Sequence, residues 1–292
     1  MNDTRVPSRV FRPAHQEAET ANTASGTPQT EHPAYRLAFQ DMDFLLREDL
    51  RPVRFQLELL KPQLLLDEAN IASTFVIYGS ARIPEPAKAE AVLALAETDQ
   101  QKRIAERLVA KSKYYDEARR LGQLASNFPL DEAGKKHFVV TSGGGPSIME
   151  AANRGARDVG AETIGLNIVL PHEQAPNPYV TPSLSMQFHY FALRKMHFLL
   201  HARAVAVFPG GFGTFDEAFE LLTLIQTGKL KPLPIIFFGR EFWERVVDFE
   251  ALAEEGVISP DDLKLFTFCE TAEEGWDCVC RHYAGSGNGP AC

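Results

Sequence analysis

Ala204-Val-Ala-Val-Phe208 runs without a break into Pro209-Gly210-Gly211-Phe212-Gly213-Thr214, and a stretch of helical periodicity follows to Thr227. An apolar run without alternation is a strand buried on both faces, and a glycine turn into an amphipathic helix makes it half of a βαβ unit. The same order occurs twice upstream. Thr74-Phe-Val-Ile-Tyr78 ends in Gly79-Ser80, and Phe138-Val-Val-Thr141 ends in Ser142-Gly143-Gly144-Gly145-Pro146. Further strands are predicted at 163–169 and 233–238, and a short strand and helix within 263–282. Helices are predicted over 86–124 with room for one break, and over 147–159, 191–202, 214–227 and 241–254. The pattern predicts an α/β fold, a Rossmann-like doubly wound parallel sheet.

Residues 1–34 lack periodicity and read as a disordered tail. Residues 35–71 read as an N-terminal helical extension, a helical pair whose second member begins near Pro52. The Rossmann-like domain is assigned to 72–283, and 284–292 to a flexible tail.

Of 292 residues, 45% are hydrophobic and 24% charged, enough for a large core and too apolar for wholesale disorder. A net charge of −9 argues against nucleic acid as a partner. A small phosphorylated ligand stays open, since a pocket can be locally positive on an acidic protein. The four cysteines, Cys269, Cys278, Cys280 and Cys292, all lie late, unlike a disulfide-built fold. No stretch resembles a secretory h-region or a membrane span, so the expectation is a cytoplasmic protein without membrane contact.

Glycine at the carboxyl end of a parallel strand lets the backbone approach a ligand and aim N–H groups at it. The following helix adds its N-terminal dipole, so an anion such as phosphate is favoured. The dipole contributes only about 0.3–2 kcal/mol, so the N–H groups must supply most of the hold. Neither Gly-Gly loop completes G-x-G-x-x-G, and no G-K-[ST] occurs, which sets aside a nicotinamide dehydrogenase and a P-loop NTPase.

Each loop is followed by S/T-x-x-E: Ser147-Ile-Met-Glu150 and Thr214-Phe-Asp-Glu217. Both glutamates fit a capping box. On a helical wheel, however, Glu217 falls inside the apolar arc of Ala218, Leu221, Leu222, Leu224 and Ile225, while Asp216 points away. That position also suits a carboxylate acting on a bound ligand. In the preceding helix, Arg194, His197 and His201 form one narrow polar stripe on an otherwise apolar segment. A cation there needs a partner, either a structural carboxylate or an anionic ligand. His197 and His201 have zinc-pair spacing, but Phe198 stands where H-E-x-x-H has Glu. Cys278-x-Cys280-x-His282 does not converge on a helix. No metal is expected.

Pro209-Gly-Gly-Phe-Gly-Thr-Phe-Asp-Glu217, with Arg194-Lys195 before it, resembles the P-G-G-x-G-T-x-x-E motif of the LONELY GUY (LOG) family, long labelled "lysine decarboxylase". Tyr78-Gly-Ser-Ala-Arg82, Ser142-Gly-Gly-Gly-Pro-Ser-Ile-Met-Glu-Ala-Ala-Asn153 and Phe219-Glu-Leu-Leu-Thr-Leu-Ile-Gln-Thr227 extend the resemblance over about 75–280. They are most similar to the longer bacterial members with an N-terminal helical extension.

The resemblance implies hydrolysis of the N-glycosidic bond of a nucleoside 5′-monophosphate, AMP or a cytokinin riboside 5′-monophosphate, to free base and ribose 5-phosphate. It implies Arg194 and Glu217 as the catalytic pair, and Gly210, Gly211, Gly213 and Thr214 as the phosphate loop. Gly79, Ser80, Arg82, Gly144, Gly145, Met149, Glu150 and Lys195 are the further substrate-binding candidates. It also implies homodimers or larger homo-oligomers and no cofactor. A pyridoxal phosphate decarboxylase needs a dedicated Schiff-base lysine, and only Lys195 stands near the motif. The loop 167–182, with Pro171, Glu173, Gln174, Asn177 and Tyr179, is expected to close over the base. The alternatives are a non-catalytic nucleotide or molybdenum-cofactor carrier, which needs the cradle but not the Arg194–Glu217 pair, and a nucleotide-sensing interaction protein.

Overall fold

The computed structural model describes residues 12–21, 26–171 and 175–284. The chain divides into two compact units, Met1–Glu58 and Leu59–Cys292. In the first, α1 (Ala14–Ala21) and α2 (Pro28–Glu31) lie within the stretch expected to be a disordered tail. Thr27 supplies the local reason for α2: its hydroxyl and that of Thr30 form a reciprocal cap, with Pro28 in the first turn. The expected helical pair is also corrected. Residues 33–50 hold three 3₁₀ turns and the single turn α3 (Met42–Leu45), and one long helix, α4 (Arg51–Glu68), follows. Tyr35, Phe39, Met42 and Leu46 are exposed, so this stretch has no buried stripe to hold a longer helix.

The second unit holds seven parallel strands: β1 (Thr74–Tyr78), β2 (Val139–Ser142), β3 (Ile164–Ile168), β4 (Ser185–Phe188), β5 (Ala202–Val207), β6 (Ile235–Phe238) and β7 (Thr267–Cys269). Their order is β4-β3-β2-β1-β5-β6-β7. The chain winds outward from β1 through β4, then returns to β5 on the other side of β1, which puts the switch point of the sheet between β1 and β5. Both faces are covered. Phe75 and Ile77 of β1 pack with Leu121, Ile148, Ala152 and Phe208, while Val76 and Tyr78 pack with Phe198, Val205, Leu221 and Trp243. This two-sided burial is why the strands read as unbroken apolar runs.

The helices are α5 (Pro86–Ala94), α6 (Asp99–Ser126), α7 (Ile148–Asp158), α8 (Phe191–Leu200), α9 (Phe212–Gln226), α10 (Arg240–Val246), α11 (Phe249–Glu254) and α12 (Ala272–Ala284). The predicted helix over 86–124 breaks once, where Thr98 and Gln101 form a capping box for α6. The predicted helix over 241–254 is two, because the Asp248 carboxylate accepts from Ala251 N–H and starts α11 afresh. Strand β4 has no counterpart in the sequence reading. It is four residues long, half exposed, and pairs on one side only, with β3. No described helix is long and apolar enough to cross a membrane.

Helices α6 and α7 cross with almost no space between backbones. A Cβ on Gly122 would strike the Ala152 carbonyl, and one on Gly155 the Arg119 carbonyl. This crossing seats the helix that follows the Gly143–Gly145 loop. Glycine in a helix ordinarily costs about 0.5–1 kcal/mol relative to alanine, so Gly155→Ala would normally stabilise. Here the helices must part, and the expected result is a net destabilisation of about 1–3 kcal/mol. Urea unfolding reads this as a lower midpoint at unchanged slope; an unchanged or raised midpoint contradicts the tight crossing.

Candidate active site

The three glycine-ended strands meet at Ser80. Its N–H donates to the Pro209 carbonyl at 3.1 Å, and its carbonyl accepts from Ile148 N–H at 3.3 Å. The loops after β1, β5 and β2 are thereby joined through one residue. Gly79 permits the approach, because a Cβ there would collide with Ile148 and Phe208. The Ser80 hydroxyl accepts from Arg82 N–H at 3.0 Å, and the Arg82 side chain is exposed.

Neither glutamate caps its helix. Helix α9 starts at Phe212 with Gly211 as N-cap, so Thr214 is already its third residue and Glu217 lies a full turn inside. Helix α7 starts at Ile148 behind Ser147, a non-glycine residue at φ 64° whose side chain makes no capping bond. The Glu150 carboxylate instead accepts from the Tyr115 hydroxyl at 3.1 Å.

Two sets of N–H groups are left over. Among the described residues, the N–H groups of Phe212, Gly213 and Thr214 in α9 have no protein acceptor, and neither do those of Gly145, Met149 and Glu150. Such first-turn donors need a cap, water or an anion. Gly210 lets the buried Thr214 hydroxyl lie against the loop, and the space over Gly211 and Gly213 is open.

Arg194 and Glu217 form a buried ion pair beside these donors. Arg194 Nη1 stands 3.4 Å from Glu217 Oε1, with side chains 10% and 14% exposed. Arg194 Nε donates to the Leu166 carbonyl of β3 at 2.6 Å, and the guanidinium lies over the Phe198 ring at 5.0 Å. Gly143, absent from the predicted site, makes room for it. A Cβ at Gly143 would press on Arg194 Nη2 and on Met149 Sδ. Burial pushes the Glu217 carboxyl up to about 7; Arg194 opposes the rise and Asp216 adds to it. Burial also raises the neighbouring Tyr78 phenol well above its ordinary range, and Glu217 adds to that shift.

Lys195 turns to the outer side of α9, pairing with Asp216 at 3.0 Å and Glu220 at 3.2 Å. Helix α8 buries Arg194 and His197 along with Phe198 and Leu199, while Phe191, Met196 and Leu200 are exposed. Among the described residues, no three His, Cys, Asp or Glu side chains group to hold a metal ion.

Glu173 and Gln174 lie outside the described residues. Asn177 is buried and reaches toward the glycine loop after β2.

A family model described as "possible lysine decarboxylase" matches residues 149–279, which include Arg194, the Pro209–Thr214 loop and Glu217. The cytokinin riboside 5′-monophosphate phosphoribohydrolase LOG3 of Arabidopsis thaliana is 26% identical over 167 residues, 56% of this chain and 73% of that protein. The enzyme LOG of Oryza sativa subsp. japonica, which carries the same activity in its name, is 27% identical over 168 residues, 56% of this chain and 65% of that one. Among solved structures, the molybdenum cofactor carrier protein of Chlamydomonas reinhardtii aligns at a TM-score of 0.40 and 15% identity, over 73% of this chain and 99% of that one. Over residues 149–279 the chain thus matches the family model across the glycine loop and both members of the buried ion pair, and LOG enzymes are among the proteins it is similar to.

Proposed function

We propose that the protein hydrolyses the N-glycosidic bond of a nucleoside 5′-monophosphate, AMP or a cytokinin riboside 5′-monophosphate, releasing free base and ribose 5-phosphate. The observation that carries this reading is the buried Arg194–Glu217 pair beside N–H donors that have no protein acceptor. A buried ion pair contributes little net stability, so its presence in a cleft points to chemistry. A carrier of nucleotide or molybdenum cofactor needs the donors, but a carboxylate beside a bound anion only repels it. Glycosidic cleavage, by contrast, builds positive charge on the ribose, and an ionised carboxylate stabilises that state.

In the proposed reaction the N–H groups of Phe212, Gly213 and Thr214 take the phosphate. Gly145, Met149 and Glu150 face the nucleotide from the other side of Ser80. Glu217 acts ionised on the ribose or on the attacking water, and Arg194 keeps it ionised. The exposed Phe191, Met196, Leu200 and Phe212 support a homo-oligomer in which a second copy covers α8 and the mouth of α9. Met196→Glu is then expected to shift the mass seen by light scattering toward the monomer; an unchanged mass contradicts that surface.

Base release from AMP and isopentenyl-AMP, followed by chromatography, tests the activity. Glu217→Gln is expected to lower kcat by about 10²–10⁴ with the fold intact. Arg194→Ala is expected to lower kcat and raise KM together. Turnover near wild type in both variants assigns the pair to structure, and binding without base release favours the carrier.

The raised Glu217 carboxyl gives two pH dependences. The kcat of the wild type is expected to rise through an apparent pKa near 7, and a flat profile from pH 5 to 8 would falsify an ionised Glu217. For stability, the folded carboxyl titrates higher than the ordinary 4.5, so the native state binds the extra proton and loses stability as pH rises between those values. Glu217→Gln removes that loss. It is expected to be more stable than wild type at pH 8, by about 1–3 kcal/mol, and not at pH 4; equal melting temperatures at both pH values contradict it.

A further inference from the structure

We propose that Asn177 is a positioning residue for the reaction above: its side-chain amide fixes the peptide planes of the Gly143–Gly145 loop so that the Gly145 N–H faces the ligand. The function rests on that proposed reading; the bracing itself does not.

Asn177 is 8% exposed and spends every polar atom on this loop or its own turn. Its backbone N–H donates to the Gly144 carbonyl at 2.7 Å. Its Nδ2 lies 3.2 Å from the Gly144 carbonyl, 3.0 Å from that of Gly145 and 2.9 Å from Asn153 Oδ1. Its Oδ1 accepts from Tyr179 N–H at 3.2 Å. The carbonyl and N–H of a trans peptide point in opposite directions. Holding the Gly144 carbonyl toward Asn177 therefore turns the Gly145 N–H away from it, and this is one of the donors with no protein acceptor among the described residues. The Gly145 carbonyl, held in the same way, belongs to a peptide whose nitrogen is that of Pro146 and has no proton to offer. Asn177 thus fixes which backbone donor of the loop is presented.

The brace is itself braced. The Ser142 hydroxyl donates to Asn153 Oδ1 at 2.7 Å and accepts from Gly144 N–H at 3.1 Å, and Asn153 Nδ2 donates to the Thr163 hydroxyl at 2.6 Å. All of these groups are buried, and removing one partner leaves the others without acceptors or donors in a dry site. Glycine at positive φ has no side chain to hold itself in place, and Gly144 is at φ 74°. The rigidity of the loop has to come from outside, and Asn177 supplies it.

The test compares wild type, Asn177→Asp and Asn177→Ser. The aspartate keeps the shape and the acceptor for Tyr179 but replaces the donor; the serine shortens the group and serves if the aspartate fails to fold. Two readings are taken on each: hydrogen exchange of peptides spanning 142–150, and binding and turnover of AMP. Expected are exchange at least tenfold faster confined to 142–150, and Kd and KM for AMP raised at least tenfold with kcat within about threefold of wild type. Exchange in 142–150 unchanged in a folded variant overturns the brace. Faster exchange with unchanged Kd and KM overturns the role in positioning. If wild type neither binds nor cleaves AMP, the proposed substrate fails, and the exchange arm alone still decides whether Asn177 holds the loop.

Discussion

A carboxylate held out of water by one guanidinium is the constraint on which the rest of the site depends. Moving either charge inside costs several kcal/mol, and one contact at 3.4 Å does not fully repay it. The surroundings divide the cost. Arg194 is held from three directions, by the Leu166 carbonyl, the Phe198 ring and Glu217. Glu217 has Arg194 as its ion-pair partner, and burial pushes its carboxyl up to about 7. Gly143 is part of the same solution, because any larger residue in the loop after β2 would displace the guanidinium. The ion pair therefore couples β3, α8, α9 and the glycine loop into one unit.

The sheet makes that coupling possible. Since β1 lies between β2 and β5, the residue after Gly79 stands between the loops on either side, and Ser80 bonds to both. Two helix N-termini then start on either side of Ser80 without a side-chain cap. Leaving donors unmet is costly in a buried loop and cheap in an open one, and the space above Gly211 and Gly213 is open.

Much of this was legible in the sequence, for reasons that mark where legibility stops. Strands buried on both faces announce themselves as apolar runs, and Glu217 could be placed on the inner arc of its helix because one wheel needs only local spacing. The capping boxes misled because a helix start is set by backbone geometry. Gly211 begins α9 early enough to carry Thr214 and Glu217 past the cap, and Ser147 enters α7 with positive φ. Strand β4 was hidden because its alternation, Ser185-Met-Gln-Phe188, lasts only four residues at a sheet edge, too short to stand out from a loop. In α8 the polar stripe needed a partner, as its composition said, but only the fold reveals that the stripe turns inward and leaves Phe191, Met196 and Leu200 outside. Asn177 was visible only as a polar residue between two prolines; its partners lie 24 to 33 residues away in the chain.

The arrangement also separates two tasks that a simpler site would give to one cation. A phosphate brought to the mouth of α9 adds negative charge near Glu217, which drives the carboxyl further toward its protonated form. If Arg194 left Glu217 to bind the phosphate, the carboxylate would lose the stronger of the two cations, Arg194 and Lys195, that favour its ionised form. Neutral backbone donors avoid this conflict. They hold an anion through N–H groups and the helix dipole without competing for the guanidinium, and Arg194 stays with Glu217 through the bonds to Leu166 and the face of Phe198. Lys195, the other cation of the motif, is likewise committed elsewhere, to Asp216 and Glu220. Backbone donors open to an anion, with the buried arginine reserved for a carboxylate, suit the proposed reaction, in which positive charge develops on the bound molecule.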